Sequence, residues 1–139
     1  MDKVSAIHDH RWDFESLVLR GRVENRKYNV VKGEVNYVEG RVMCGPNPVH
    51  RGARDTRGVC LQFQSRATYT RGDSYQMYSD ELHSSHPEDG TITVCMRRSA
   101  SKGDDALVYW PIGEDWVSAE PRIATPEEVK DILYRAGVL

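Results

Sequence analysis

The sequence predicts an all-β domain in which antiparallel strands form a sandwich or barrel, followed by one short C-terminal helix. Short runs rich in Val, Ile, Leu and Tyr recur along the chain, and Gly separates many of them. Strands do not alternate with long helical segments, as they would in a fold built from βαβ units. The one clear helical pattern lies close to the C-terminus.

About seven short strands are expected before this helix. The clearest is 59–69, in which Val59, Leu61 and Phe63 fall on one face of an extended chain. The others are 15–23 with a turn at Gly21, 25–31, 34–43, 74–78, 91–96 and 106–109. Between the strands 34–43 and 59–69, the segment 44–58 contains two Pro, three Gly and few apolar residues. This composition predicts a long lid-like or binding loop.

The C-terminal helix is predicted over 126–136 by several agreeing signals. Thr125 is a suitable N-cap, Pro126 suits the first helical position, and Glu128 lies where it completes a capping box with Thr125. Gly137 is suited to the position just after the helix. One apolar face follows from the spacing of Val129, Ile132, Leu133 and Ala136.

Size and composition indicate a single domain over 1–139. The chain has 139 residues and a formal net charge of −2, which argues against a nucleic-acid binder. Three Cys are too few for a disulfide scaffold, and no apolar stretch is long enough for a membrane span. We therefore expect a cytoplasmic protein with no nucleic-acid or membrane partner.

The histidines are the residues that suggest chemistry. His8 and His10 are two residues apart, so on an extended strand both side chains point to the same face and can reach one metal ion. Glu15 follows at the start of a strand, and His83 precedes another strand. Imidazole and carboxylate together suit a divalent transition metal.

These residues resemble the first and second motifs of the cupin superfamily, G-x5-H-x-H-x3,4-E-x6-G and G-x5-P-x-G-x2-H-x3-N. His8, His10 and Glu15 match the first motif, with Gly21 one residue early, and Gly72 and His83 have the separation of the second. The segment HDHRWDFESLVLRG resembles small bacterial cupins that begin HDH-x-W-D-F, and it is distantly similar to cysteine dioxygenases. In the latter, three His bind iron and a Cys stands where this chain has Glu15.

The resemblance implies a cupin-type double-stranded β-helix, or jelly-roll barrel, with a metal held by His8, His10, Glu15 and His83. The metal is expected to be Fe(II), with Zn, Ni or Mn as alternatives. The implied function is a mononuclear iron(II) oxygenase or dioxygenase acting on a small organic molecule. Under this resemblance, Glu15 would be a fourth ligand or a nearby catalytic base. The alternatives are a metal-dependent isomerase or lyase, and a non-catalytic module that binds a small molecule.

Three further expectations concern the ligands, the substrate and the partner. His83 is preferred to His86 as the third His ligand, because His86 lies in a polar stretch expected to be an exposed turn. Substrate contacts are expected from Arg66, Tyr75 and Tyr28. Because few strands can precede His8, open sheet edges are expected to pair with a second copy, giving a homodimer through edge strands or the C-terminal helix.

Overall fold

The computed structural model describes residues 5–43, 52–101, 103, 105–116 and 123–139. These residues form nine antiparallel strands and one helix, which confirms the mostly β architecture and the C-terminal helix. The strands are β1 (Ile7–His8), β2 (Phe14–Arg20), β3 (Arg22–Val31), β4 (Tyr37–Met43), β5 (Arg54–Thr70), β6 (Ser74–Met77), β7 (Leu82–Pro87), β8 (Ile92–Arg97) and β9 (Asp105–Pro111), and the helix is α1 (Pro126–Arg135).

Six of the strands form one antiparallel sheet with the order β1-β7-β3-β5-β4-β9. Strand β1 is only two residues long, yet it pairs with β7 on one side and β9 on the other, so the sheet closes on itself. In this pairing His8 lies opposite His83 and also opposite Val108. The shortest strand therefore brings one end of the chain next to two strands far along it.

The other three strands form a separate antiparallel sheet with the order β6-β2-β8. Along β2, Phe14, Ser16 and Val18 are buried and alternate with more exposed residues, as expected when one face of a strand is covered. The ring of Phe14 lies against the rings of His10 and His83, so this buried face packs on the six-stranded sheet at β7. Strand β8 has exposed residues on both faces.

The six-stranded sheet has an apolar core of its own on its inner side. Ile7, Val59, Leu61, Leu82 and Tyr109 form this cluster. On β7, the neighbouring residue His83 is also buried, and it faces the three-stranded sheet instead. The alternation along β7 therefore places Leu82 in the apolar cluster and His83 on the face that contacts the three-stranded sheet.

The passage of the chain from β2 to β3 depends on Gly21, whose φ is +81°. A Cβ atom at this position would lie 2.8 Å from the Cα atom of Thr91, so any side chain would strain the local backbone and displace Thr91. Because β2 and β3 belong to different sheets, this glycine is the point at which the chain crosses from one sheet to the other.

Two expectations about local structure differ from the observed fold. The predicted loop over 44–58 is shorter, because β5 already begins at Arg54; residues 44–51 lie outside the described part of the chain. The polar stretch after His83 is not a turn, because 82–87 form β7 between β1 and β3. Pairing on both sides overrides the weak strand preference of these serines and histidines.

Helix α1 begins and ends where the sequence predicts. Thr125 accepts a hydrogen bond from the backbone N–H of Glu128, and the Glu128 carboxylate accepts one from the backbone N–H of Thr125. The backbone N–H of Ala136 closes the last turn on Ile132. In the described part of the chain, no helix has the length and apolar character needed to cross a membrane.

Candidate metal centre

The three histidines His8, His10 and His83 come together between the two sheets. One ring nitrogen from each lies within 4.8 Å of the others, which is close enough for a single ion to bind all three. The Nε2 atoms of His10 and His83 are 2.9 Å apart. Two nitrogens that bind one ion at about 2.1 Å with a right angle between them would be about 3 Å apart, so this spacing is compatible with shared coordination.

Asp9 positions the backbone between the two histidines of the His-x-His pair. Its side chain is buried, and its Oδ1 accepts a hydrogen bond of 2.7 Å from the backbone N–H of Leu107 on β9. The backbone N–H of Asp9 donates in turn to the carbonyl of Leu107. These two bonds hold His8 and His10 in register with β9.

The protonation of the histidines favours metal binding. Nδ1 of His8 lies 2.6 Å from the carbonyl oxygen of Ala6, so the ring proton is on Nδ1 and the lone pair is on Nε2. Burial lowers the pKa of His8. Burial, together with His8, His10 and Lys27 nearby, lowers the pKa of His83 to about 3. Both imidazoles are therefore neutral at pH 7, as metal ligands must be.

The surroundings of the centre are aromatic, and two buried ring nitrogens there, one on Trp12 and one on His83, have no hydrogen-bond partner among the described residues. The His10 ring meets Trp12 and Phe14 edge-on, with ring centres 5.1 and 4.8 Å away. Nδ1 of His83 is buried and has no hydrogen-bond partner among the described residues. A buried imidazole nitrogen without a hydrogen-bond partner is energetically unfavourable.

The structure places Glu15 apart from the three histidines. It follows Phe14 on β2, and because successive side chains on a strand point to opposite faces, Glu15 points away from the face on which Phe14 contacts His10. Within the described residues, the group of possible ligands contains the three histidines and no carboxylate. The geometry therefore gives Glu15 no place as a fourth ligand.

The other predicted site residues are dispersed. Arg66 lies on β5 with a side chain that is 72% exposed, 3.9 Å from Glu24. Tyr75 stacks on Tyr69 with ring centres 4.5 Å apart and also meets the edge of Phe14, one ring away from His10. The Tyr28 hydroxyl lies 3.4 Å from the hydroxyl of Ser84 on β7. None of these contacts brings the three residues to one point.

His86 is not part of the histidine group. It lies on β7, and its Nε2 is 2.9 Å from the Ser84 hydroxyl. Because it is three residues beyond His83 on a strand, its side chain points to the other face of the sheet. The preference for His83 over His86 therefore agrees with the geometry, although the expectation of an exposed turn is wrong.

One buried polar cluster was not anticipated from the sequence. Glu39 on β4 is buried and accepts hydrogen bonds from Arg57 at 2.7 Å and from the Tyr109 hydroxyl at 2.7 Å. Burial raises the pKa of Glu39, but the bonds from Arg57 and Tyr109 and the nearby arginine charges outweigh it, so the pKa lies below its usual value. The sequence signal is weak, because Glu39 lies on a strand that also contains Arg41.

Comparison with known proteins adds no assignment. No protein-family model matches the chain, and neither a curated protein nor a solved structure is significantly similar to it. The mostly β fold and the three-histidine cluster are consistent with a cupin.

Proposed function

We propose that this protein is a metal-dependent enzyme of cupin-type jelly-roll fold that acts on a small organic molecule through one metal ion held by His8, His10 and His83. The observation that carries the proposal is the convergence of three histidines within 4.8 Å. Three protein ligands leave at least one coordination position for water or substrate, which is the arrangement of catalytic rather than structural sites.

Iron(II) oxygenation is the first candidate, and it rests on the resemblance of the HDH segment to cupins. Iron(II) bound at the three histidines would supply the electrons and the open position that oxygen activation requires. The protein's own contribution would be to fix the ligands: Ala6 orients the His8 ring, and Asp9 ties the backbone to β9. Trp12 and Phe14 pack edge-on against the His10 ring and limit its movement.

A zinc-type lyase, hydratase or isomerase is the second candidate. It is favoured by the absence of a carboxylate from the ligand group within the described residues, because three imidazoles with one open position are a common zinc arrangement. In this case His8, His10 and His83 would hold an ion that would supply Lewis-acid chemistry without electron transfer. Three imidazole ligands with an open coordination position also suit nickel and manganese.

The first experiment is elemental analysis of protein from which any affinity tag has been removed. We expect about one divalent metal per chain, and near-complete loss in the His10→Ala variant. His86→Ala removes a histidine outside the group and should retain the metal. Glu15→Gln should also retain it, because Glu15 lies apart from the histidines.

The identity of the bound metal separates the candidates. Iron in the wild type, followed by oxygen consumption with thiols, amino acids or phenols, supports the oxygenase. Zinc, nickel or manganese supports the second candidate. If the wild type binds none of the four metals even after reconstitution, while circular dichroism shows a folded chain, the proposal fails. The histidine cluster is then a hydrogen-bonded pair with a neighbouring ring.

A further inference from the structure

A second site lies beside the histidine group, in a cavity of about 620 Å³ that we call the aromatic cavity. Its walls include Tyr37, Trp110 and Trp116, and the segment from Ser5 to His8 forms part of its rim. This volume is in the range that holds a drug-sized molecule. The rings of Trp110 and Trp116 are 6.3 Å apart and tilted by 34°.

One wall of the aromatic cavity is polar. Tyr28, Ser84 and His86 all line it, and they form a chain in which the Tyr28 hydroxyl lies 3.4 Å from the Ser84 hydroxyl and Ser84 lies 2.9 Å from Nε2 of His86. The Tyr28–Ser84 contact is long for a hydrogen bond between hydroxyls, whose usual length is about 2.7–2.8 Å. The Tyr28 and Ser84 hydroxyls therefore retain capacity to bond a ligand.

The charge of the walls restricts the ligand further. Among the described lining residues there is no Lys or Arg, and Asp115 is the one acidic residue. A neutral ligand is thus favoured over an anion. Tyr and Trp side chains offer flat faces on which a planar ring can stack with ring centres about 4.5–7 Å apart.

We propose that the aromatic cavity binds a neutral, planar aromatic molecule that carries a hydroxyl group. The ring lies among Tyr37, Trp110 and Trp116, and the hydroxyl bonds to Ser84 and Tyr28. A hydroxyl both donates and accepts, so it can enter the Tyr28–Ser84–His86 chain without leaving a buried polar atom unpaired. The cavity shares His8 with the proposed metal centre, but its occupation does not require a bound metal.

The test uses metal-free protein, prepared with a chelator, and isothermal titration calorimetry with three probes. These are 5-hydroxyindole, indole and indole-5-carboxylate, which share a ring system and differ in one substituent. We expect 5-hydroxyindole to bind about tenfold more tightly than indole, because one good hydrogen bond is worth about that factor. The carboxylate should bind more weakly than 5-hydroxyindole.

Three variants assign the binding to the cavity. Ser84→Ala should reduce the preference for 5-hydroxyindole over indole to about twofold or less. Trp116→Ala should weaken both probes by about tenfold or more, because it removes a stacking face. Tyr134→Ala removes an aromatic side chain that is 72% exposed on α1, and it should leave both affinities within about twofold.

The proposal is overturned if the folded wild type binds neither neutral probe, or if it binds both equally and Ser84→Ala changes nothing. It is also overturned if Trp116→Ala and Tyr134→Ala behave alike. Because these titrations contain no metal, a negative result does not bear on the metal content of the histidine group. Conversely, if the protein proves to bind no metal, the titration with 5-hydroxyindole still tests the aromatic cavity.

Discussion

At the scale of single residues, buried polar groups define both candidate sites. Asp9 is buried and bonded to β9, and this fixes the histidines on either side of it. His83 is buried, and its Nδ1 has no hydrogen-bond partner among the described residues, so burial of this ring carries a cost. The function of the centre is therefore expected to depend on Asp9 as well as on the ligands, since Asp9 holds the backbone that orients them.

A pH-dependent stability is expected from Glu39. Its pKa is lowered in the folded protein, so its stabilising contribution is complete above the unfolded value of about 4.3 and is lost as the pH falls through the lower, folded value. Urea unfolding of wild type and Glu39→Gln between pH 7 and pH 3 measures this. The difference in the free energy of unfolding should shrink as the pH falls.

The control for Glu39 is Glu15→Gln, in which the carboxylate removed has neither Arg57 nor Tyr109 as a partner. At pH 7 the loss of stability should be larger for Glu39→Gln than for Glu15→Gln. A difference between Glu39→Gln and wild type that stays constant over the pH range would contradict a lowered pKa and the two hydrogen bonds that explain it.

At the scale of elements, the shortest strand, β1, both closes the six-stranded sheet and positions a candidate metal ligand. Two residues of β1 close the six-stranded sheet and present His8 directly opposite His83. Strand β2 then lies in the other sheet, where Phe14 covers the histidines. A tight turn at Gly21 returns the chain to the six-stranded sheet at β3, and the positive φ and the close approach of Thr91 both exclude a side chain there.

Two Gly→Ala substitutions separate the effect of a positive φ from the effect of the close contact with Thr91. Gly21 and Gly72 both have positive φ, but a Cβ atom at Gly72 meets no atom within 4 Å. Gly72→Ala should therefore cost about 1–2 kcal/mol from backbone strain alone. Gly21→Ala should cost clearly more, because Thr91 must move. Chemical unfolding measures both values, and equal losses would show that the Thr91 contact is unimportant.

At the scale of the whole molecule, the metal centre links parts of the chain that are far apart in sequence. Its ligands come from β1, from the segment after it and from β7. An ion bound to all three would oppose separation of the N-terminal segment from β7, because it binds the folded state and not the unfolded one.

Metal should therefore raise the melting temperature. At a free concentration one hundred times the Kd, binding adds about 2.7 kcal/mol, which corresponds to roughly 8 °C for a domain of this size. Differential scanning calorimetry of metal-free and reconstituted protein gives the shift. His10→Ala should show almost none, and a shift of equal size in this variant would place the metal elsewhere.

The homodimer stays a prediction, and β8 is the edge through which it is expected. This strand ends the three-stranded sheet, and Val94 and Met96 on it are 41% and 60% exposed. Light scattering after size exclusion should give twice the chain mass of 15.9 kDa at micromolar concentration. Met96→Lys should give a monomer, whereas Met43→Lys, at an exposed position on β4, should not.

The sequence alone determined the features that depend on local chemistry. The helix boundaries followed from the Thr125 capping box and Gly137, because a cap is satisfied by residues within one turn. Most strands followed from apolar alternation. The His-x-His pair and His83 were identified by type and spacing, since two residues on one extended segment must share a face.

Only the tertiary structure decided which of these residues meet. Glu15 is separated from the histidines because Phe14 takes the inward position on β2. Strand β7 forms from polar residues because β1 and β3 pair with it on both sides. These pairings join residues more than fifty positions apart, and no local pattern encodes such a pairing. The aromatic cavity and its Tyr28–Ser84–His86 chain depend on the same long-range register.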